Sequence, residues 1–594
     1  MEFRVVNFDT GTPTAIPNRV DIAVGTVSVT DPTYNASGST TSTTGTISAG
    51  SNILVLASPI DFSNGQGIRI MHAGTASAAG APSNLTVTPQ GTTGATTYNY
   101  TIAPLDGLGG FGPAIAVTTI NNGNATLNTT NFNNLSWITG FNNQGYAVYS
   151  NNALVGIANG TSFSDFGYGV GSVVGELFAP AYIPTAPPAS GSADWLVTTI
   201  VSGGGTTNIK LAATASTTAT AQSVFHDDTA AVQAAINAAT GHVTLPSGTY
   251  QISSPLTISA SDIMIQGRGQ GTNLQKVTAT GDLFTMTGNF VSFLDFIVNT
   301  DTYQVSGALF DWSSGGSNNY IHNVFTQGGF NVVSFPSGGA QNRISDFVFN
   351  NFRNNGIWWN SGFGGLDLVS NGQIGADPLL NTGSGLFVQS GSALNLQNLN
   401  IEGQFSPILI QPAAGQSVLD VFASNVSADG VVNVARVTGS HGWTLDGSGA
   451  GSTLSRVELV NCWAGTNVQN GFEIFNANKV HCVQCVSLSN SGHGFSVFQS
   501  TFVRLQGITA SNNSRLSSNT NDGVNISTNS THVAVHGGHC EQTGTGTSNV
   551  QRWGINAADA SCDFISLVGN DTSLNVTGGI TTTGITHLVN VGNF

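Results

Sequence analysis

Gly471-Phe472-Glu473-Ile474 returns as Gly494-Phe495-Ser496-Val497, Gly523-Val524-Asn525-Ile526 and Gly554-Ile555-Asn556-Ala557, at intervals of 23, 29 and 31 residues. Each unit is a glycine followed by apolar-x-apolar, the period-two mark of a short strand with one buried face. Upstream it recurs at Gly356-Ile357 and Gly385-Leu386-Phe387-Val388. A second strand repeats out of phase, over 344–349, 366–369, 394–399, 418–422, 457–460, 480–486, 502–505 and 564–567. Repeats of roughly 20 to 30 residues with two or three short strands predict a parallel β-solenoid, where stacking supplies the core that no coil builds alone. Asn490, Asn512 and Asn521 fall at its expected corners, where amides can satisfy backbone groups.

Composition agrees with an all-β chain. Its 594 residues include 14 Lys+Arg and 30 Asp+Glu, a net charge of −16 on only 7% charged residues, against about 25% in ordinary soluble domains. Solubility therefore rests on Ser, Thr, Asn and Gln, and helical surfaces, which draw on charged residues, are disfavoured. Too few cations exist for a nucleic-acid surface. No run approaches the roughly 18 apolar residues of a membrane span, so no membrane insertion is expected. Met1 to Asp9 lacks the basic head and apolar stretch of a secretory leader, so an extracellular or virion-tail protein with no visible signal peptide is expected. The five cysteines lie between Cys462 and Cys562 and are expected to be reduced and buried.

Residues 1–81 read as an N-terminal β module, with strands at Ile53-Leu54-Val55-Leu56 and Gly67-Ile68-Arg69-Ile70. The stretch 46–57 is weakly echoed within 199–212, which predicts two small β units flanking an insertion. That insertion, 82–183, has about seven short strands and a core Trp and Tyr, and looks like a fibronectin-type-III or immunoglobulin-like sandwich. Residues 184–225 read as a Pro-rich linker and a second small β segment. From residue 226 a solenoid begins, capped by a helix over 228–239 with Asp caps and apolar positions Val232, Ala235, Ile236 and Ala239.

Asp227-Asp228-Thr229 with Gln233 and Ile236, followed by Leu245-Pro246-x-Gly248-x-Tyr250 and Gly267-x-Gly269-x-Gly271-Thr272, resembles the opening segment of pectate-lyase-superfamily right-handed β-helices. Such helices occur in polysaccharide lyases, glycosidases, epimerases and phage tailspikes. The resemblance covers about 50 residues; it implies a right-handed parallel β-helix over 226–594, a carbohydrate ligand and, for a tailspike, a homotrimer.

On a solenoid, equivalent residues of successive coils stand about 4.8 Å apart. Aligning the second strand by its inner apolar residue puts Asp295, Asp346, Asp367, Asn395, Asp420, Arg456, Cys482 and Arg504 in one column. Asp346, Asp367 and Asp420 are the candidate catalytic acids, because carboxyl separations of about 5 Å or 6.5–9.5 Å serve retaining or inverting glycoside cleavage. The competing reading is a corner ladder, since Asp and Asn tolerate left-handed backbone. Glu402, Glu458 and Glu473 are alternative acids. Trp358, Trp359, Arg353 and Arg456 are candidate substrate-binding residues; on an extended strand one tryptophan must face inward. His536-Gly-Gly-His539-Cys540-Glu541 and His481-Cys482-x-x-Cys485 resemble metal clusters, yet strand placement favours buried cysteine, so neither metal nor cofactor is expected.

The expected function is a polysaccharide-binding and polysaccharide-cleaving spike, tailspike-like, with N-terminal modules able to attach to a virion tail. A secreted carbohydrate-active enzyme (lyase, glycosidase, epimerase or fructan transferase) and a non-enzymatic adhesin are the alternatives.

Overall fold

The computed structural model describes residues 4–6, 13–15, 26–115, 117–128, 130–158, 160–167, 183–300, 304–313, 316–360, 363–376, 383–403, 406–430, 441–515, 519–542 and 550–594. Their dominant feature is a parallel β-solenoid. One wall is a 13-stranded sheet from Leu256–Ile258 to Gly578–Thr581; the rest of each coil feeds a second, 20-stranded sheet. The Gly-apolar-x-apolar units form consecutive rungs of the first wall: Phe472 pairs with Phe495 and Phe495 with Val524, all parallel. Their apolar positions are buried, and Phe472 and Phe495 stack at 4.6 Å with planes 2° apart. Further up, Trp312, Phe335 and Trp359 stack in the same core. Trp359 is thus a core residue, not a ligand contact.

One residue per coil turns the chain left-handed where the strands of the large sheet bend. Asp295, Asn323, Asp346, Asn371, Asn398, Asn425, Asn461 and Gln484 occupy that corner with positive φ, followed by Gly507, Gly537, Gly569 and Gly592. This is the set that bears a left-handed backbone at least cost. Their amides join into a ladder: Asn371 Nδ2 donates to Asp346 Oδ1 (3.4 Å), Asn398 to Asn371 (3.0 Å) and Asn425 to Asn398 (3.2 Å).

Two further ladders run inside the coil. Asn467 donates from its backbone N–H and its Nδ2 to Asn490 Oδ1, and Asn490 continues to Asn513 Oδ1; all three are buried. Near the middle of the chain, Asn319 donates to Asn342 Oδ1, and the Asn342 N–H donates to Asp367 Oδ1 at 2.6 Å. Of the predicted corner amides, Asn512 is left-handed, whereas Asn490 belongs to the buried ladder.

The N-terminal boundaries differ from the sequence expectation. Thr26–Ser28 pairs in parallel with His242–Thr244 and so belongs to the solenoid. Ser42–Ile47, Ile53–Leu56 and Gly67–Ile70 close a six-stranded barrel with Leu196–Ser202, Asn208–Leu211 and Ala219–His226. The two flanking units are therefore halves of one barrel. Their mutual echo reflects a shared core, in which Leu54, Ile70, Ile200 and Ile209 are buried together. Between the halves sits a sandwich of three- and four-stranded antiparallel sheets, with Trp137 edge-on to Tyr146 at 5.1 Å. It packs on the solenoid through Ala103 and Leu105 against Ala279 and Val305.

The single helix of the described residues, Thr229–Ala238, covers the solenoid's first coil with Val232, Ala235 and Ile236. Its N-cap, Asp228, makes no side-chain cap bond. The carboxylate instead accepts N–H bonds from Ser37 (2.5 Å) and Gln251 (3.1 Å), tying the N-terminal segment to the solenoid. All five cysteines are free and buried, and no group of three metal-ligating side chains occurs among the described residues. No helix is long and apolar enough to cross a membrane among them.

These ladders predict two stability effects. Asn490→Ala strips the acceptor from two buried donors of Asn467, and should cost about 2–4 kcal/mol, read as a lower denaturant midpoint for the solenoid. Burial pushes the Asp367 carboxyl up to about 7, against the lowering effect of Asn342. A carboxyl raised on folding stabilises the fold below its unfolded value near 4 and loses that contribution as pH climbs through the folded value. Asp367→Asn should flatten this slope and exceed wild type at pH 8 by on the order of a few kcal/mol; equal pH profiles of thermal unfolding for the two proteins would count against it.

Candidate functional site

The three acids aligned by sequence do not share a column. Asp346 stands on the left-handed corner, in register with Asn371, and its carboxylate lies 3.2 Å from His322 Nδ1. Asp367 follows Asn342 in the buried ladder and is only 1% exposed. Asp420 occupies a second left-handed corner beside Arg456, which grips it with Nε at 2.5 Å and Nη2 at 2.7 Å. That fork holds the Asp420 carboxyl below its ordinary range. The competing corner-ladder reading therefore describes Asp346 and Asp420, while Asp367 lies inside the coil. Hydrogen-bonded corner residues and a buried acid on separate tracks form no carboxyl pair.

The candidate binding residues separate in the same way. Arg353 is 1% exposed, Trp359 is core and Arg456 is committed to Asp420. Arg456 is exposed but held by Asp420, and Trp358 faces outward, half-buried, with its Nε1 donating to Gln389 Oε1 at 2.9 Å.

Trp358 leads to a different surface, the outer face of the 13-stranded sheet. Strand pairing places Ser334, Trp358, Phe387, Leu409, Thr444, Glu473, Ser496, Asn525 and Asn556 in one column on the side of the sheet away from the core, with Ser334, Leu409 and Ser496 buried and the others partly exposed. These are the x positions of the Gly-apolar-x-apolar units. Two residues further along their strands, Gln389, Gln411, Asp446, Phe475 and Phe498 form a parallel column.

Glu473 is the central titratable group of this face. Its carboxylate accepts from Asn470 Nδ2 at 2.5 Å and stands 4.0 Å from His441 Nδ1. Burial pushes its carboxyl up; bonds from Asn470 and Ser496 pull it down, and the charge of Asp446 pushes it up again. Asp446 sits diagonally across one rung, since Thr444 is the residue in register with Glu473; strand spacing and rise give a Cα diagonal of about 8 Å. Its carboxylate accepts from Gln411 Nε2 at 2.7 Å and from the Ser448 N–H at 2.9 Å.

Two histidines border the pair, both neutral. Burial takes His441 down to about 4, and its Nδ1 accepts the Asn470 N–H, which leaves the ring proton on Nε2. The 4.0 Å approach to Glu473 is therefore no ion pair. His493, lowered by burial, uses its Nδ1 to accept the Asp522 N–H at 2.9 Å, so its nearness to the Asp522 carboxylate is not an ion pair either. That buried carboxylate is held by Arg552 in a fork of 2.8 and 2.7 Å and by Asn556 Nδ2. At the other end of the face, burial and the nearby Asp282 charge lift Asp311 to about 6.

Glu473 was legible as an alternative acid; His441, Asp446, Asn470, His493, Asp522 and Arg552 were not singled out. The usable signal was the polar x of each repeat, the residue two positions after it, which alternation directs to the same face and which is Asp446 in its coil, and the polar residue three positions before it in successive coils, at His441, Asn470, His493 and Asp522.

No protein-family profile matches the chain, and no curated protein matches it. Among solved structures, the A-module of the Azotobacter vinelandii mannuronan C-5 epimerase AlgE4 is 14% identical, with a TM-score of 0.42 over 62% of this chain and 96% of that one. The catalytic domain of a GH87 alpha-1,3-glucanase is 12% identical, with a TM-score of 0.37 over 93% of this chain and 96% of that one. Tailspike protein 3 of bacteriophage CBA120 is 12% identical, with a TM-score of 0.37 over 62% and 59%. The β-solenoid assignment rests on the strand register of this chain itself.

Proposed function

We propose that this chain binds and cleaves a polysaccharide on the outer face of its 13-stranded sheet, with Glu473 as proton donor and Asp446 as the carboxylate that activates water. The observation that carries this reading is the pairing of a largely covered Glu473, whose carboxyl is pushed up by burial and by the charge of Asp446, with that same Asp446 one rung away. Glycoside cleavage needs one carboxyl that keeps its proton and one that stays charged. Gln411 and the Ser448 N–H fix the Asp446 carboxylate, and Asn470 fixes that of Glu473. Trp358 and Phe387 supply ring surface on the same column, roughly 14 to 19 Å up the solenoid, where further sugar units would lie.

In this reading the barrel and the sandwich, taken as a fibronectin-type accessory module, space the solenoid from an attachment point. The working protein is a trimeric extracellular or virion-tail depolymerase.

The test is release of new reducing ends from a panel of bacterial surface polysaccharides. Glu473→Gln should lower the rate by about 10²–10⁴-fold while glycan binding persists, and Asp446→Asn should do the same. The wild-type rate should fall as pH rises past the elevated Glu473 value, because the donor must hold its proton. Full activity in Glu473→Gln would overturn the assignment.

A further inference from the structure

We infer that the glycan taken by this face is uncharged, so that the reaction is hydrolysis of a neutral polymer rather than elimination at a uronate; the inference rests on the functional reading above. Cleavage by elimination removes the C5 proton of a uronic acid and needs a cation against the sugar carboxylate while the charge develops. A neutral glycoside needs only the acid and the water-activating carboxylate.

The outer face offers the second set and withholds the first. Of the basic side chains that border the Glu473 and Asp446 pair, His441 and His493 are neutral and Arg552 is engaged. His441 and His493 hold no charge near neutral pH, and each spends Nδ1 on a backbone N–H. Arg552 directs both Nε and Nη2 into the buried Asp522, so its charge is cancelled in place. The uncompensated groups are acidic: Asp446 and Glu473 at the centre and Asp311 further up the same sheet. The chain as a whole adds a net −16. A polymer with one carboxylate per repeat would set like charges along a partly desolvated face, where they are screened least. Hydroxyls face no such cost; Asn525, Asn556, Gln389 and Gln411 give the column donors and acceptors suited to them.

The test separates this inference from the cleavage reading by measuring binding and cutting independently. Soluble neutral glucans, galactans and O-antigen chains without acidic sugars are compared with alginate, polygalacturonate and sialylated polymers. Binding is measured on Glu473→Gln and cutting on wild type. Neutral polymers should bind at least 10-fold tighter at low salt, and the gap should narrow as salt rises, as repulsion predicts. Asn525→Lys, two rungs from Glu473 on the same column, should improve uronate-polymer binding at least threefold. Uronate polymers binding as well as neutral ones, or release of unsaturated products absorbing near 235 nm, would overturn the inference while leaving a polysaccharide-cleaving protein. Binding of neutral polymers without cutting would remove the cleavage reading and keep the charge preference. Failure of both polymer classes to bind would sink both.

Discussion

In-register stacking of parallel rungs is the constraint on which everything else in this molecule depends. Once Phe472 lies under Phe495 and Phe495 under Val524, the residues between and beyond them have no freedom in which column they join. Inner positions become a continuous apolar core, outer ones a patterned surface, and each corner a line of residues that share one backbone conformation. The corner line shows how strict this is. An ordinary side chain in left-handed backbone costs about 1–2 kcal/mol, and the column fills with Asn, Asp, Gln and finally Gly. Where other side chains occupy the second corner, they stack: Phe502, His532, Phe564 and His587 follow one another at 4.4 to 4.7 Å.

The sequence disclosed the solenoid because its inner positions repeat chemically, as in the Gly-apolar-x-apolar units. It did not disclose register, because coils differ in loop length and the second strand bends through a left-handed corner. Aligning Asp346 with Asp367 by their neighbouring apolar residues skipped that bend; the true partner of Asp346 is Asn371, and that of Asp367 is Asn342. A displacement of a few residues along one coil moved Asp367 from the surface to the interior. The barrel was hidden for a different reason. Ile70 and Leu196 are adjacent strand partners separated by the whole sandwich, and local periodicity carries no information about which edges close. The six-strand closure could be read only as a faint echo between 46–57 and 199–212.

The polar interior adds a second layer. Asn467, Asn490 and Asn513 pass one hydrogen bond down per rung, so the coil buries amides without leaving donors stranded, as a low-dielectric interior demands. Lys276 shows the same economy with a charge. It is 1% exposed, and its Nζ donates to the Thr278 and Thr280 carbonyls and to Gln304 Oε1. Burial draws its ammonium down to about 7, against the raising effect of the Asp282 charge, and three fixed acceptors satisfy its donors. These acceptors order the loop on which the sandwich rests, since Thr280 Oγ1 donates to the Gly107 carbonyl.

The outer face works by the converse rule. Its carboxyls are covered enough to feel the low dielectric but are not locked by cations, unlike Asp420 in the grip of Arg456 or Asp522 in that of Arg552. An acid held by a guanidinium is pinned in its charged form and cannot deliver a proton. An acid that shares a partly dry face with another carboxylate is biased the other way, toward retaining one. Glu473 meets that condition, with burial and Asp446 acting in the same direction, and its neighbours His441 and Asn470 supply polarity without positive charge. Between Glu473 on the one hand and Asp420 and Asp522 on the other, the absence of a guanidinium partner separates the acid biased toward keeping a proton from the two pinned in their charged form.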